Sequence, residues 1–138
     1  MRIQPQLSFD GQCKSAFLLY QQVFGGTITT MQSFGESPIA SSVHPRWYHL
    51  IRHATLRTEE FELEGADVLP DGYHKPQGEA VIVTLKKTAE AERIFNALAN
   101  GGEITLPFQH TFWCAGFGMV VDRFGIAWEI NSAEEPAS

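Results

Sequence analysis

Gly25-Gly26-Thr27-Ile28-Thr29 and Gly101-Gly102-Glu103-Ile104-Thr105 repeat one piece of punctuation, 76 residues apart in a chain of 138. Both glycine pairs close a helical pattern. Ahead of the first, apolar residues recur at Cys13, Ala16, Phe17, Tyr20, Val23 and Phe24, the spacing of one helix face, with Asp10 and Gly11 placed to cap the start. Ahead of the second, Ala91, Ile94, Phe95 and Leu98 form the same stripe. Thr88 is the expected cap there, and Glu90 and Glu92 lie at the positive end of the dipole. After each pair the chain turns rich in residues suited to strands.

Working outward, Ile3, Pro5, Leu7 and Phe9 alternate with Gln4, Gln6 and Ser8, a half-buried strand over residues 3–9. Residues 27–34, 47–58 and 60–67 read as three strands, with a proline- and serine-rich loop at 35–46 between the first two. A connection at 68–78 follows, and the order restarts: strand 80–85, the second helix, then strands 103–110, 116–121 and 126–131. The element order is therefore strand, helix, three strands, stated twice. An offset of 76 lays Pro5, Leu7 and Phe9 on Val81, Val83 and Leu85, and an offset of 65 lays Glu64 on Glu129. The first copy is longer by about the length of the 35–46 loop. The fold class is α+β, a single domain of two tandem βαβββ units spanning about 1–70 and about 78–132.

Composition limits the function. With 43% hydrophobic residues the chain can bury a core without metal or disulfide staples, and a net charge of −6 argues against nucleic acid or anionic lipid as partner. No stretch has the length of a membrane span, and the opening Met1-Arg2-Ile3-Gln4-Pro5 does not read as a basic-then-apolar leader, which points to a cytoplasmic protein. Cys13 and Cys114 lie far apart in no metal-binding spacing and are expected to be reduced thiols, Cys13 in the core.

The second half then becomes specific. Thr111-Phe112-Trp113, Gly116-Phe117-Gly118 and Asp122-Arg123-Phe124-Gly125-Ile126-Ala127-Trp128-Glu129-Ile130-Asn131 resemble the signature of the PhnB-like branch of the vicinal oxygen chelate superfamily, the glyoxalase and bleomycin-resistance fold. His53-Ala54-Thr55-Leu56, Gly65-Ala66-Asp67 and Leu98-Ala99-Asn100-Gly101-Gly102 fit the same branch. Some members bear the label of 3-demethylubiquinone methyltransferase. The glycine-rich loop that an adenosyl methyl donor needs between strand and helix is missing from this sequence.

The resemblance implies that each unit curls into a half-open barrel, and that metal-dependent members take ligands from the first and last strands of both units. Here those positions hold Gln4 or Gln6, Glu64 and Glu129, with Ala80 at the fourth and Glu79 pointing away unless the register slips. The expected metal set is Gln4, Glu64 and Glu129, all oxygen donors, suited to a divalent ion that polarises a substrate with two adjacent oxygens. The alternative for both glutamates is a solvated strand residue or an acid paired with arginine. His110, beside Phe112 and Trp113, is a candidate general base, with Glu129 as its catalytic companion. Gln6, His53, Trp113 and Phe117 are the expected ligand-binding residues.

Two functions follow from the resemblance: an isomerase, lyase or dioxygenase of the glyoxalase type, or a module that sequesters a small molecule without chemistry, as bleomycin-resistance members do. Exposed sheet edges and the habit of the fold imply a homodimer. The 35–46 loop is a candidate lid.

Overall fold

The structure, a computed structural model, describes residues 1–134. The chain divides between His74 and Lys75 into two units. In the first, β1 (Gln6–Phe9), α1 (Cys13–Phe24), β2 (Thr27–Ser33), β3 (Ile51–Arg57) and β4 (Glu62–Asp67) build a four-stranded sheet in the order β1-β4-β3-β2. In the second, β5 (Val81–Leu85), α2 (Thr88–Ala99), β6 (Glu103–Gln109), β7 (Phe117–Val121) and β8 (Ala127–Ser132) build β5-β8-β7-β6. The first strand of each unit runs parallel to the last, and the other pairs are antiparallel. The duplication holds to the residue. Gln6 stands opposite Glu64 and Ile82 opposite Glu129, the pairs that the two sequence offsets superpose.

Each helix covers one face of its own sheet. α1 buries Cys13, Ala16, Phe17, Tyr20 and Val23. Phe17 meets Phe9 edge-on at 6.1 Å and Tyr20 at 5.8 Å. α2 buries Ala91, Ile94, Phe95 and Leu98 over β7 and β8, whose core side chains are Val120, Trp128 and Ile130. Each such side chain contributes about 2 kcal/mol on removal from water. Burial alternates along β8, leaving Ala127, Glu129 and Asn131 on the face turned away from α2.

The repeated glycines have a steric reason. A Cβ on Gly26 would strike the carbonyl oxygen of Arg57, and one on Gly102 that of Val121, so in both units the chain leaving the helix passes against the third strand's backbone. Gly26 also holds φ +88°, where only glycine is at ease.

The caps differ from expectation. Gln12 and Lys87 occupy the two N-cap positions, and neither side chain caps. Cys13 N instead donates to the buried Asp67 carboxylate at the end of β4, and Thr88 N donates to Glu134 just past β8. Two strand boundaries also shift. β1 begins at Gln6, because the arm before it binds side chains of β4 (below), and β3 begins at Ile51, because Pro45–Trp47 winds into a 3₁₀ turn. The 35–46 segment is not featureless: Phe34, Val43 and Leu50 form a small buried cluster with Trp47, Tyr48 and Leu69 packed around it. Ser33 and Glu36 close its first turn as a reciprocal capping box. Among the described residues, no helix is long and apolar enough to cross a membrane.

Candidate functional site

The sheet face away from the helix carries Gln6, His53 and Glu64 in the first unit and Phe117 and Glu129 in the second. In the first unit it is polar. Gln6, Glu64, Thr55 and Thr30 stand opposite one another in turn across β1, β4, β3 and β2, and Gln32 stands opposite His53 on the same face. His53 is half-buried, and its Nε2 lies 3.3 Å from the hydroxyl of buried Thr55. Gln6 and His53 are thus brought onto one surface with Glu64.

Gln4 and Glu64 have other partners. Arg2 reaches back over β4, donating to Glu62 at 2.6 Å and lying 3.7 Å from Glu64, while Arg57 binds Glu62 from the neighbouring strand at 3.1 Å. Gln4 accepts from Arg2 at 2.8 Å and donates to the Glu62 carbonyl at 3.1 Å, so its amide is engaged on both ends. The Arg2 guanidinium, with Arg57 beside it, holds the Glu62 carboxyl below its ordinary range. Arg2 shares the alternation of Gln4 and Gln6, a signal present in the sequence.

In the second unit the same face is largely apolar. Glu129 stands between Ile82 on β5 and Met119 on β7. Phe117 stands opposite Asn131, one diagonal step from Glu129 on the same face. Its ring meets Trp113 edge-on at 5.8 Å, and Trp113 meets Phe112 at 4.8 Å. Phe112 is 90% exposed and Trp113 56% exposed, although both are aromatic. Behind this face, Gly118 leaves room for Phe95 of α2, which fixes which way Phe117 points. The structure brings Trp113 against Phe117 and sets Phe117 one diagonal step from Glu129. His110 lies just past β6, exposed, following Gln109, the residue opposite Phe117.

These donors do not fit a resident divalent ion. Gln4 and Glu62 are spent on hydrogen bonds, Arg2 lies beside Glu64, and hydrocarbon side chains flank Glu129 on both adjoining strands. Among the described residues, no three His, Cys, Asp or Glu side chains group as metal ligands. Cys13 is buried as expected, and burial, with the Asp67 carboxylate adding to it, pushes its thiol pKa up. Cys114, also buried, donates its thiol to the Gly116 carbonyl at 3.1 Å.

A family model described as 3-demethylubiquinone-9 3-methyltransferase matches residues 1–131. Protein YjdN of Escherichia coli K12 is 32% identical, over 98% of this chain and 97% of its own. The crystal structure of PA1353 from Pseudomonas aeruginosa is 41% identical and superposes with a TM-score of 0.89, covering 98% of this chain and 99% of that one. A Bacillus cereus PhnB protein, titled a putative 3-demethylubiquinone-9 3-methyltransferase, shares the fold at TM-score 0.81 with 22% identity, over 96% of this chain and all of its own. With glyoxalase-related structures sharing the fold and a family model spanning both units, the chain belongs to the 3-demethylubiquinone-9 3-methyltransferase family.

Proposed function

We propose that this protein binds a small molecule bearing an aromatic or other flat apolar group, without resident metal chemistry. The observation that carries the reading is the run Phe112, Trp113 and Phe117: edge-to-face rings, the two exposed ones in the β6–β7 connection and the third on a sheet face whose opposite side is already covered by α2. Exposing two large rings in water is unfavourable, and a ligand covering them recovers that free energy. The polar face of the first unit, with Gln6 and His53, offers hydrogen bonds to an oxygen-bearing ligand. The family's methyl-transfer name has no support in the connections from β1 to α1 and from β5 to α2. Those connections are Asp10-Gly11-Gln12 and Lys86-Lys87, neither of them the glycine-rich form that seats an adenosyl donor.

The test is isothermal titration calorimetry with small aromatics such as benzyl alcohol and phenol, alongside metal analysis of the purified protein. Saturable binding lost in Trp113→Ala supports the proposal. Stoichiometric nickel, zinc, manganese or iron that disappears in Glu129→Gln would overturn it in favour of a metal-assisted isomerase, lyase or dioxygenase. The proposal includes a cytoplasmic homodimer, because β1 and β2, and likewise β5 and β6, are edge strands within their own sheets. Sedimentation showing only monomer at micromolar concentration would remove the dimer.

A further inference from the structure

The two glutamates at equivalent repeat positions have opposite electrostatic surroundings. Glu64 has the Arg2 guanidinium 3.7 Å away, and Arg57 stands two cross-strand pairs along, opposite Glu62. The Glu129 carboxylate has no ion-pair or hydrogen-bond partner among the described residues. The four strands of its sheet contain no Lys, Arg or His, and their only charged residues are Glu103 and Glu129. The carboxylate is not sealed off, since no buried side-chain oxygen or nitrogen among the described residues lacks a partner. Its neighbours are Ile82, Met119 and, one step diagonally, Phe117, whose ring continues into Trp113. An accessible, unneutralised carboxylate one diagonal step from an aromatic ring that continues into a second is complementary to one chemical class.

We infer that the open face of the second unit is a binding site for an organic cation, an ammonium or quaternary ammonium carrying an aromatic or alkyl body. Trp113 and Phe117 receive the body and share the positive charge through their ring faces, Glu129 is the counter-ion, and Asn131 is the polar neighbour on the same strand. A metal ion would demand several oxygen donors in a closed shell. A weakly hydrated organic cation needs only one carboxylate and apolar surface, which is what Ile82, Met119 and Phe117 provide. This inference rests on the aromatic-ligand reading above and adds the sign of the ligand's charge.

The experiment compares three probes of similar body: benzyltrimethylammonium, benzyl alcohol and benzoate, titrated by calorimetry at low ionic strength. The cation is expected to bind about tenfold more tightly than the alcohol, and benzoate more weakly than either. Glu129→Gln, checked for folding by circular dichroism, should bring cation and alcohol to equal affinity. In the unmodified protein, added salt should weaken the cation and leave the alcohol unchanged, a readout that needs no variant. Cation and alcohol binding equally, both sensitive to Trp113→Ala, would overturn the inference and leave the aromatic-ligand reading standing. No probe showing Trp113-dependent binding would overturn both.

Discussion

One oxygen of the Asp67 carboxylate accepts a hydrogen bond from the backbone N–H of Cys13 at 2.9 Å. Its other oxygen takes the N–H of Ile51 at 2.8 Å. A single side chain 3% exposed thus joins the start of α1, the start of β3 and the end of β4. Replacing it with alanine leaves two buried donors without acceptors. Asp67→Ala should therefore lower unfolding free energy by about 3 kcal/mol, measured by urea denaturation. A loss no larger than that of an ordinary surface substitution would show that the carboxylate does not hold the three elements together.

Glu134 performs the same task for α2, accepting from Thr88 N at 2.9 Å and from its hydroxyl at 2.7 Å. That site is exposed, so water replaces the lost acceptor. Glu134→Ala should destabilise measurably less than Asp67→Ala in the same denaturation series. Equal losses would mean that burial is not what separates the two caps.

The Arg2, Glu62 and Arg57 group makes stability depend on pH in a defined direction. The Glu62 pKa lies below its ordinary 4.5 in the folded chain, chiefly through the Arg2 hydrogen bond. Its contribution is therefore present above pH 4.5 and is lost as pH falls through the lower folded value. The melting-temperature gap between Glu62→Gln and the parent protein should be present at pH 7, close on acidification below pH 4.5, and shrink in high salt. A gap that persists in acid would assign the effect to packing.

Gly102 sits where a Cβ would meet the Val121 carbonyl and lie 3.0 Å from Asp122 Cα. Backbone cannot swing away as a side chain can. Gly102→Ala should cost about 2 kcal/mol in urea denaturation. Gly72→Ala, whose nearest neighbour is a Val68 methyl at 3.4 Å, should be close to neutral. If the two variants behaved alike, the repeated glycine would have no steric basis.

What the sequence revealed and what it hid divide by range. The helix stripes were legible because 3.6-residue periodicity and a terminating glycine pair are local signals, and all four stripe residues of α2 are buried. The equivalence of Glu64 and Glu129 was legible because both copies keep element order, and the register of β1 with β4 and β5 with β8 repeats it. The caps were misassigned to Asp10 and Thr88 because a nearby cap residue is the only kind visible from a short window, whereas the acceptors lie 54 and 46 residues away. The hold of Arg2 on Glu62 is hidden for the same reason, with 60 residues between them. Which of the signature aromatics face outward depends on whether they fall in the β6–β7 connection, as Phe112 and Trp113 do, or on the helix-facing side of β8, as Trp128 does, not on residue type.

That last point yields a contrast between two tryptophans 15 residues apart. Trp128 is 2% exposed, and its Nε1 donates to Asp122 at 2.9 Å, so Trp128→Phe removes both volume and a buried hydrogen bond. A cost of about 2 to 3 kcal/mol is expected. Trp113 is more than half exposed, and the rings it meets, Phe112 and Phe117, accept a phenyl ring in its place, so Trp113→Phe should stay within about 0.5 kcal/mol of the parent protein. Urea denaturation of the two variants separates a tryptophan that holds the second unit together from one that stability does not require. A large loss from Trp113→Phe would return that ring to the core and remove the support for a ligand-facing role.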